Sequence, residues 1–225
     1  MKMSTYKRQI AVADIHGMYV LLKNLIEHSI QFNPDEDQLV FLGDYIDRGA
    51  QSREVVEYVK TLQVRYPGQI ILLKGNHEDL AERALSFLKG QTEQIYFDSP
   101  MGQWLINGGQ ATINSYGNIE KCRKGLLTFI EQLQLYYKTS THIFVHGGIP
   151  HGKTLKTATP QELIWNRDLS YDGVNKTLVV GHCIHEMVVV DKNLIAIDTG
   201  AYLTGKLSAY DILNSQIYEV TGHPK

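Results

Sequence analysis

The sequence predicts a mixed α/β fold in which two mixed β-sheets are flanked by helices. Residues 9–88 alternate strand-like apolar runs with stretches of helical spacing, the pattern of right-handed parallel β-α-β units. Residues 92–140 lack strand alternation, which indicates a helical segment. From residue 142 onward the apolar runs are short and closely spaced, as expected for an antiparallel second sheet.

Three strands and three helices account for the first of these regions. The strand-like runs QIAVA, QLVFL and QIILLK are each followed by apolar side chains at helical spacing. The first helix covers residues 18–30, and Pro34 marks a turn before the second strand. Ser52 is of a type that caps helices, so the second helix begins there and ends before Pro67. The third begins within residues 75–78, and its inward face contains Leu80, Ala84, Leu85 and Leu88.

The remaining elements are expected to complete a single domain that spans residues 1–225. No Pro/Gly/Ser-rich linker or repeat divides the chain. A helical insert of about residues 92–140, with an amphipathic segment from Leu126 to Leu135, is expected to cover the functional site. The later strands are expected at residues 142–145, 177–180, 187–191, 194–198 and 206–213.

The composition is that of an ordinary globular protein without a charge excess. The 225 residues carry a formal net charge of −2 and 20% charged side chains, so neither nucleic acid nor a membrane surface is indicated as a partner. Two cysteines are too few for a disulfide framework, and the sequence has neither a signal region nor a run of about 18 apolar residues. We therefore expect a cytoplasmic enzyme or binding domain.

Three polar clusters follow the three strands at the points where the strands end. They are DIHG at residues 14–17, GDYIDRG at residues 43–49 and GNHE at residues 75–78. Because the loops at the carboxyl ends of parallel strands line one crevice, these side chains are expected to meet there. Carboxylate, amide and imidazole groups together suit divalent metals. The clusters therefore predict a metal-dependent hydrolase.

The first two clusters contain candidate ligands for metal and phosphate. Asp14 and His16, two residues apart at a strand end, point to the same side and could hold one ion, although such a pair alone is more often a surface turn. Asp44 could bridge two ions through its two oxygens. Arg48 offers a planar fork that matches two phosphate oxygens, and the alternative is an exposed Asp–Arg pair in a polar turn.

The third cluster separates metal binding from proton transfer. Asn76 and His77 are adjacent at a strand-to-helix turn and point in different directions, so Asn76 could bind metal while His77 faces the substrate. Paired with Asp47, His77 suits protonation of the leaving oxygen, because a carboxylate partner favours imidazolium and raises the pKa of the histidine. The alternative is a histidine with a purely structural role at a helix start.

Two later histidines complete a two-ion site. His146 ends the run HIFV and His182 follows TLVV, whereas His142 and His185 do not lie at a strand end. Either of the first two, taken alone, is more often structural than a ligand. Two ions about 3.5–4 Å apart can polarise a phosphoryl oxygen and turn water into a nucleophile. The candidate ligands of the first ion are Asp14, His16 and Asp44, and those of the second are Asp44, Asn76, His146 and His182.

The motifs DIHG, GDYIDRG, GNHE, HGG and GH, in this order, resemble those of a known family. This family comprises the metallophosphoesterases of the PPP serine/threonine phosphatase type. The resemblance is greatest to its small bacterial and bacteriophage members, such as the phage lambda type. The resemblance covers about residues 9–213. It implies the calcineurin-like β-sandwich of two mixed sheets, and hydrolysis of phosphomonoesters, above all phosphoserine and phosphothreonine in proteins, by metal-bound hydroxide.

The resemblance also implies residue roles, cofactors and partners. It implies the ligand set already counted, with His77 and Asp47 as the acid pair. The segment WNR at residues 165–167 implies that Arg167 contacts the phosphate together with Arg48 and Asn76. Two divalent ions are implied, Mn²⁺ first, with Fe, Zn or Ni as further candidates. The implied partner is a phosphoprotein or a small phosphorylated substrate. Cys183 departs from the family, because many relatives have threonine after the histidine ligand.

Three alternative functions remain to be compared with this one. A diadenosine tetraphosphatase shares the metal core and the IDTGA segment, although the WNR segment and the chain length favour the monoesterase. A non-catalytic scaffold would be expected to lose acid or ligand residues, and all of them are present. The DTG at residues 198–200 is similar to an aspartic protease signature, but that chemistry needs two aspartates that share a proton. We therefore interpret Asp198 as a structural turn residue near the site.

Overall fold

Two five-stranded sheets form the framework of the computed structural model, which describes residues 6–87, 96–170 and 175–223. The expected inward residue Leu88 and residues 92–95 of the expected insert lie outside this part of the chain. The strands are β1 (Arg8–Val12), β2 (Asp37–Phe41), β3 (Ile70–Leu72), β4 (Tyr136–Lys138), β5 (His142–Val145), β6 (Thr177–Val180), β7 (Val189–Asp191), β8 (Leu194–Ala196), β9 (Lys206–Asp211) and β10 (Gln216–Thr221).

The first sheet has the strand order β10-β9-β1-β2-β3. Its centre is the expected parallel unit, with Ile10 opposite Leu39 and Val40 opposite Ile71. Strand β9 pairs antiparallel with β1 and carries β10 on its outer side. The expectation that the strand at 206–213 belongs to the second sheet is therefore wrong. Its apolar run shows that a strand forms but does not specify which open edge it joins.

The second sheet has the order β4-β5-β6-β8-β7 and is mixed, not antiparallel. Strands β5, β6 and β8 run parallel, while β4 and β7 pair antiparallel at the two edges. A parallel neighbour requires a long crossover, and the long connection from β5 to β6 provides it. Strand β4 lies inside the segment that was expected to be helical. The overall architecture of two mixed sheets with flanking helices is confirmed.

The helices have the following bounds in chain order. They are α1 (Tyr19–Asn24), α2 (Ser52–Arg65), α3 (Asn76–Phe87), α4 (Pro100–Trp104), α5 (Gln110–Tyr116), α6 (Ile119–Ile130), α7 (Pro160–Trp165) and α8 (Ala201–Thr204). A π-helical turn extends α1 through Leu25–Ile30, and a second one, Leu105–Gly109, joins α4 to α5. Among the described helices, none combines the length and the hydrophobicity that a membrane span requires.

The start of α2 differs from the expected capping arrangement. The residue before the helix is Gln51, and no side chain caps it. Ser52 is instead the first helical residue and is fully buried, and its hydroxyl accepts a hydrogen bond from the Asp47 backbone N–H at 3.1 Å. The serine hydroxyl therefore stabilises the loop that precedes the helix, where the expected acid-pair aspartate lies.

Three apolar clusters hold the sheets and helices together, and the smallest packs Leu163 of α7 against Val145 of β5 and Val180 of β6. Another packs the helices against the outer face of the first sheet, with Phe41, Leu22 and Trp104 fully buried. The third forms a layer between the sheets and joins Val40 of β2 to Phe144 of β5 and Val179 of β6. Because the sheets pack face to face, the loops after β1, β2, β5 and β6 meet at one edge of the sandwich.

Candidate metal centre and active site

The expected polar clusters converge on one cavity of about 340 Å³. The candidate ligands that line it follow strands of both sheets. The site predicted for the first three clusters therefore also includes residues of the second sheet. His146 is fully buried beneath the cavity and Asp47 lies behind His77. The cavity is lined by Asp14, His16, Asp44, Arg48, Asn76, His77, Asn107, Trp165, Arg167, His182, Ile184, Asp198 and Tyr202.

The loops that carry these side chains have unusual backbone conformations. Asp14 and His16 both have positive φ, 53° and 47°, so their side chains reach the cavity from a left-handed turn and not from an extended strand end. Two glycines allow close approach of neighbouring carboxylates. A Cβ at Gly75 would lie 2.1 Å from Asp44 Oδ1, and a Cβ at Gly181 would lie 2.1 Å from Asp14 Oδ2. Any side chain at either glycine would displace an aspartate from the site.

Two groups of candidate metal ligands share Asp44. Donor atoms of His16, Asp44 and His77 lie within 4.8 Å of one another, and so do those of Asp44, His146 and His182. Asp44 Oδ2 is 3.4 Å from His16 Nε2, and its Oδ1 is 3.5 Å from His146 Nε2. The two oxygens of one carboxylate thus face the two groups, which is the arrangement expected of a bridging ligand.

The tautomers of the histidines leave lone pairs that a cation would satisfy. His16 Nδ1 lies 2.8 Å from the Ile46 carbonyl and His146 Nδ1 lies 3.0 Å from the Leu42 carbonyl. Since both Nδ1 atoms donate protons, both Nε2 atoms carry lone pairs towards the cavity. His146 Nε2 is only 2.9 Å from Asn76 Oδ1, another lone-pair atom.

His182 provides further evidence that the site is suited to a cation. Its Nε2 atom is buried and has no hydrogen-bond partner among the described residues. Buried polar atoms are rarely left unpaired in folded proteins. The clustered histidines and aspartates are therefore able to bind a metal. Their lone pairs would be satisfied by a metal ion, whereas they cannot pair with one another.

The charges of the site favour a bound cation. Burial lowers the pKa of His16 and His182 to about 3, so these imidazoles are neutral, the form that binds metal. Burial and the neighbouring carboxylates Asp198 and Asp44 raise the pKa of Asp14 well above its usual range. Burial raises the pKa of Asp198 to about 7. Three buried aspartates without a cation would repel one another, and a bound metal removes that repulsion.

Asp14 and Asp198 both line the cavity, and Asp14 contacts the backbone of His182. Both oxygens of Asp14 accept a hydrogen bond from the His182 backbone N–H at 3.0 Å, and Asp14 belongs to neither of the two ligand groups above. Asp198 Oδ1 accepts from the Gly200 N–H at 2.8 Å, which agrees with a turn residue. Asp198 also lines the cavity, which the sequence interpretation did not include.

His77 and Asp47 form the expected pair. His77 Nδ1 lies 2.7 Å from Asp47 Oδ2, and Asp47 is fully buried. Burial alone would lower the pKa of His77, but Asp44 and Asp47 outweigh it and raise that pKa. The protonated imidazole is thus favoured, and its Nε2 is directed towards Asp44, 4.0 Å away.

Two further side chains hold Asp47 in place. Trp104 Nε1 donates to both carboxylate oxygens at 3.0 Å, and the Thr112 hydroxyl donates to Oδ1 at 2.6 Å. Both residues belong to the helical segment between the two halves of the fold. The sequence interpretation noted Trp104 but gave it no role, because nothing local links a tryptophan to an aspartate 57 positions away.

Glu78 and Tyr202 also belong to the site without having been predicted. The Glu78 carboxylate is fully buried and accepts from the backbone N–H groups of Asp44, Tyr45 and Gly75, each at 2.9 Å. It therefore joins the loops after β2 and β3. Glu78 is the last residue of the GNHE motif, so the sequence did contain a signal for it. The Tyr202 ring lies 5.0 Å from the His16 ring and 5.0 Å from Arg48 Cζ, and no sequence signal indicated it.

Two arginines line the cavity, one beside Tyr202 and the other beside His182. Arg48 lies over the Tyr202 ring, and Arg167 Nη1 lies 3.5 Å from the His182 carbonyl oxygen. Both guanidinium groups line the cavity beside the ligand groups. Planar guanidinium groups suit phosphate oxygens, so the cavity can hold a phosphate between two cationic arms.

Sequence comparison assigns the chain to a family that matches this geometry. The profile of the family described as calcineurin-like phosphoesterase matches residues 7–215. The chain is a calcineurin-like phosphoesterase. It is 28% identical over 229 residues to serine/threonine-protein phosphatase 2 of Salmonella typhimurium, and the match covers 92% of this chain and 94% of the relative.

Solved structures of the same fold cover nearly the whole chain. A candidate diadenosine tetraphosphatase aligns with a TM-score of 0.73 at 19% identity, covering 100% of this chain and 97% of its own. A protein serine/threonine phosphatase from Saccharomyces cerevisiae aligns with a TM-score of 0.70 at 15% identity, covering 99% of this chain and 82% of its own. At these identities the likeness shows the fold of this phosphoesterase and not its substrate.

Proposed function

We propose that this phosphoesterase hydrolyses phosphomonoesters, with phosphoserine and phosphothreonine in proteins as its main substrate class. We further propose that it uses two divalent ions, Mn²⁺ first among them. The residues that would hold them are Asp14, His16, Asp44, Asn76, His146 and His182. When bound, divalent ions polarise phosphoryl oxygens and make water a better nucleophile near neutral pH.

The chain's own side chains would bind the phosphate and move one proton. Arg48 and Arg167, assisted by Asn76, hold the phosphate oxygens across the cavity. The leaving oxygen of a serine or threonine ester is a strong base and needs a proton as the bond to phosphorus breaks. His77 donates that proton from Nε2, because Asp47 keeps Nδ1 protonated and the ring oriented.

The observation that carries the monoester proposal is the charge of the neighbouring cavity. A cavity of about 630 Å³ adjoins the site and shares Asn107 and Trp165 with it. Among the described residues that line it, the only cation is Arg83, which is already paired with Asp79 at 2.7 Å. Asp98 and Glu162 also line it and are acidic, and Glu162 is paired with Lys153.

A chain of four phosphates would place further negative charge in that cavity. Cations that pair with those charges would be required, and the one cation of the described lining, Arg83, is already paired. An uncharged or basic peptide segment beside a phosphorylated residue fits the same surface. The similarity to a Salmonella typhimurium serine/threonine phosphatase, which covers 92% of this chain and 94% of the relative, also supports a monoester over a dinucleotide as substrate.

A comparison of three substrates with the Mn²⁺-loaded enzyme tests the proposal. A phosphoserine peptide, p-nitrophenyl phosphate and diadenosine tetraphosphate are incubated at equal concentration, and the released phosphate and nucleotides are quantified. We expect the two monoesters to be hydrolysed at least about tenfold faster than the dinucleotide. Rapid release of ADP with little peptide hydrolysis would instead establish a dinucleoside tetraphosphatase. No turnover of any substrate would favour a non-catalytic scaffold.

A further inference from the structure

A second cavity lies on the helical side of the molecule, away from the metal centre. It has a volume of about 500 Å³ and shares no lining residue with the catalytic cavity. Helix α2 contributes Arg53, Glu57 and Lys60, which are spaced i, i+4 and i+7 and so share one helix face. We call this cavity the α2–α6 groove, because α6 forms its other wall with Lys121, Lys124, Gly125 and Thr128.

The α2–α6 groove is strongly basic in a chain that is slightly acidic overall. Among the described residues, four cations line it against one carboxylate, that of Glu57, whereas the formal net charge of the whole chain is −2. Glu57 is 3.9 Å from Lys60, the neighbour it partly neutralises. Within the described part of the chain, no carboxylate forms an ion pair with Arg53, Lys121 or Lys124. Cations held close together on facing helices repel one another unless an anion lies between them.

The floor of the groove contains a buried hydroxyl without a partner. Tyr116 lines the groove and is only 5% exposed, and its hydroxyl has no hydrogen-bond partner among the described residues. Burial raises the pKa of Tyr116, so the hydroxyl stays protonated and can donate. Leaving such a donor unpaired costs about 1–3 kcal/mol. The oxygen is itself buried, so a ligand in the groove can accept its hydrogen bond, and remove that cost, only after a shift of the Tyr116 side chain.

The shape of the groove depends on a glycine in the middle of α6. A Cβ at Gly125 would lie 2.8 Å from Cε1 of the Tyr116 ring. Glycine inside a helix destabilises it by about 1 kcal/mol relative to alanine. Here it lets the Tyr116 ring pack directly against α6.

We propose that the α2–α6 groove binds a small anion with two or more linked phosphate groups, separately from the catalytic site. Arg53 and Lys60 on one wall and Lys121 and Lys124 on the other pair with its charges, and the Tyr116 hydroxyl, once the side chain shifts towards the groove, donates to one oxygen. The volume exceeds what a single phosphate fills and falls within the range of small-ligand cavities. The proposal does not depend on which ester the catalytic site hydrolyses.

Calorimetric titration with tripolyphosphate tests this second site. The Mg²⁺-loaded enzyme is titrated in excess Mg²⁺, which keeps the catalytic ions in place. We expect two binding events in the wild type, one in the catalytic cavity and one in the groove. The double variant Lys121→Gln/Lys124→Gln is expected to weaken the groove event by about tenfold or more, while the kcat/KM for p-nitrophenyl phosphate stays unchanged.

A matched variant separates the groove from a general effect of charge. Lys156→Gln/Lys192→Gln removes two exposed lysines elsewhere and is expected to keep both events. Tyr116→Phe keeps the ring and is expected to weaken the groove event about fivefold, since one donor is lost. Inorganic phosphate should bind the groove at least about tenfold more weakly than tripolyphosphate.

Three results would overturn the proposal. One is a single binding event in the wild type that Arg48→Ala removes, which would leave only the catalytic cavity. Another is an unchanged titration of the Lys121→Gln/Lys124→Gln variant with tripolyphosphate. Equal affinity of the groove for phosphate and tripolyphosphate would exclude linked phosphates as its ligand.

Discussion

His77 is one of the most constrained side chains of this phosphoesterase, and the constraint comes from residues distant in sequence. Asp47 orients the imidazole at 2.7 Å, and Trp104 and Thr112 orient Asp47 in turn. A carboxylate that receives three donors stays in one rotamer. The position of the proton on His77 is therefore determined by a buried chain of hydrogen bonds that reaches into the helical segment.

The variant His77→Asn tests whether His77 transfers a proton or binds metal. We expect kcat for a phosphoserine peptide to fall by about 10²-fold or more, because the leaving oxygen loses its acid. Metal content, measured by mass spectrometry after dialysis, should stay close to that of the wild type. His142→Asn, at the start of β5, is the control and should change neither value. A parallel loss of metal and activity would show that His77 is a ligand.

The variant Arg48→Ala tests the phosphate contact. We expect KM for p-nitrophenyl phosphate to rise by about tenfold or more, because a charged donor to the phosphate is lost. Inhibition by inorganic phosphate should weaken in proportion. Arg65→Ala, which removes a guanidinium at the end of α2, should leave both constants unchanged. If KM of Arg48→Ala matched the wild type, Arg48 would not contact the substrate.

The residues of the site could be predicted from the sequence to different degrees. Asp44, His77 and Arg48 stand in short motifs at strand ends, so position and residue type were enough to select them. The position of Trp104 against Asp47 depends on how the helical segment packs, and no local pattern encodes that. Tyr202, in the short helix α8, contacts His16 and was not predicted for the same reason.

At the level of secondary structure, the first two strands are joined at the end opposite to the site. Arg8 and Asp37 are partners in the register of β1 and β2. The guanidinium contacts the carboxylate twice, at 2.8 Å and 2.6 Å, and Asp37 is only 1% exposed. This two-point contact fixes how the strands align, and the loops at their other ends carry Asp14 and Asp44.

The variant Arg8→Ala should destabilise the fold strongly for that reason. We expect a loss of about 3 kcal/mol in the free energy of unfolding, since a buried carboxylate would lose its charged partner. Urea denaturation followed by circular dichroism measures it. Lys7→Ala removes the adjacent pair with Glu36, whose side chains are 71% and 42% exposed, and should change stability little. Equal effects of the two variants would contradict the importance of the buried pair.

The sequence predicted the existence of the strands better than their partners. Hydrophobic patterning placed β5 and β6 where they occur, and the β-α-β pattern correctly predicted the parallel unit of β1, β2 and β3. Strand β9 was placed in the wrong sheet, because its alternation would suit either. Strand β4 was not predicted, since Tyr136 and Lys138 are exposed and its three residues show no strong apolar alternation.

Considered as a whole, the molecule has its candidate ligands divided between the two sheets. Asp14, Asp44 and Asn76 follow strands of the first sheet, while His146 and His182 follow strands of the second. An ion bound to both sets would link the sheets at their shared edge, in addition to the apolar layer between them. Metal binding and the stability of the sandwich should therefore be coupled.

Removal of the metal should lower both activity and stability. After treatment with EDTA we expect phosphatase activity to be lost and the melting temperature to fall by about 5 °C or more, because buried aspartates regain their mutual repulsion. Addition of Mn²⁺ should restore both, with saturation at two ions per chain in equilibrium dialysis. A melting temperature that does not respond to EDTA would contradict the coupling, and saturation at one ion would contradict the two-ion site.

The left-handed backbone at the site limits how this enzyme can be made more heat-resistant. Of the eight non-glycine residues with positive φ in the described chain, six belong to the site: Asp14, His16, Asp44, Asp47, Arg48 and His182. Each such conformation costs about 1–2 kcal/mol for a residue with a Cβ. Glycine would relieve the cost but would remove a functional side chain each time. At Asp14, His16, Asp44 and His182 glycine would also remove the stabilisation that a bound metal gives, so heat-resistant variants of this enzyme are expected to carry their substitutions outside these loops.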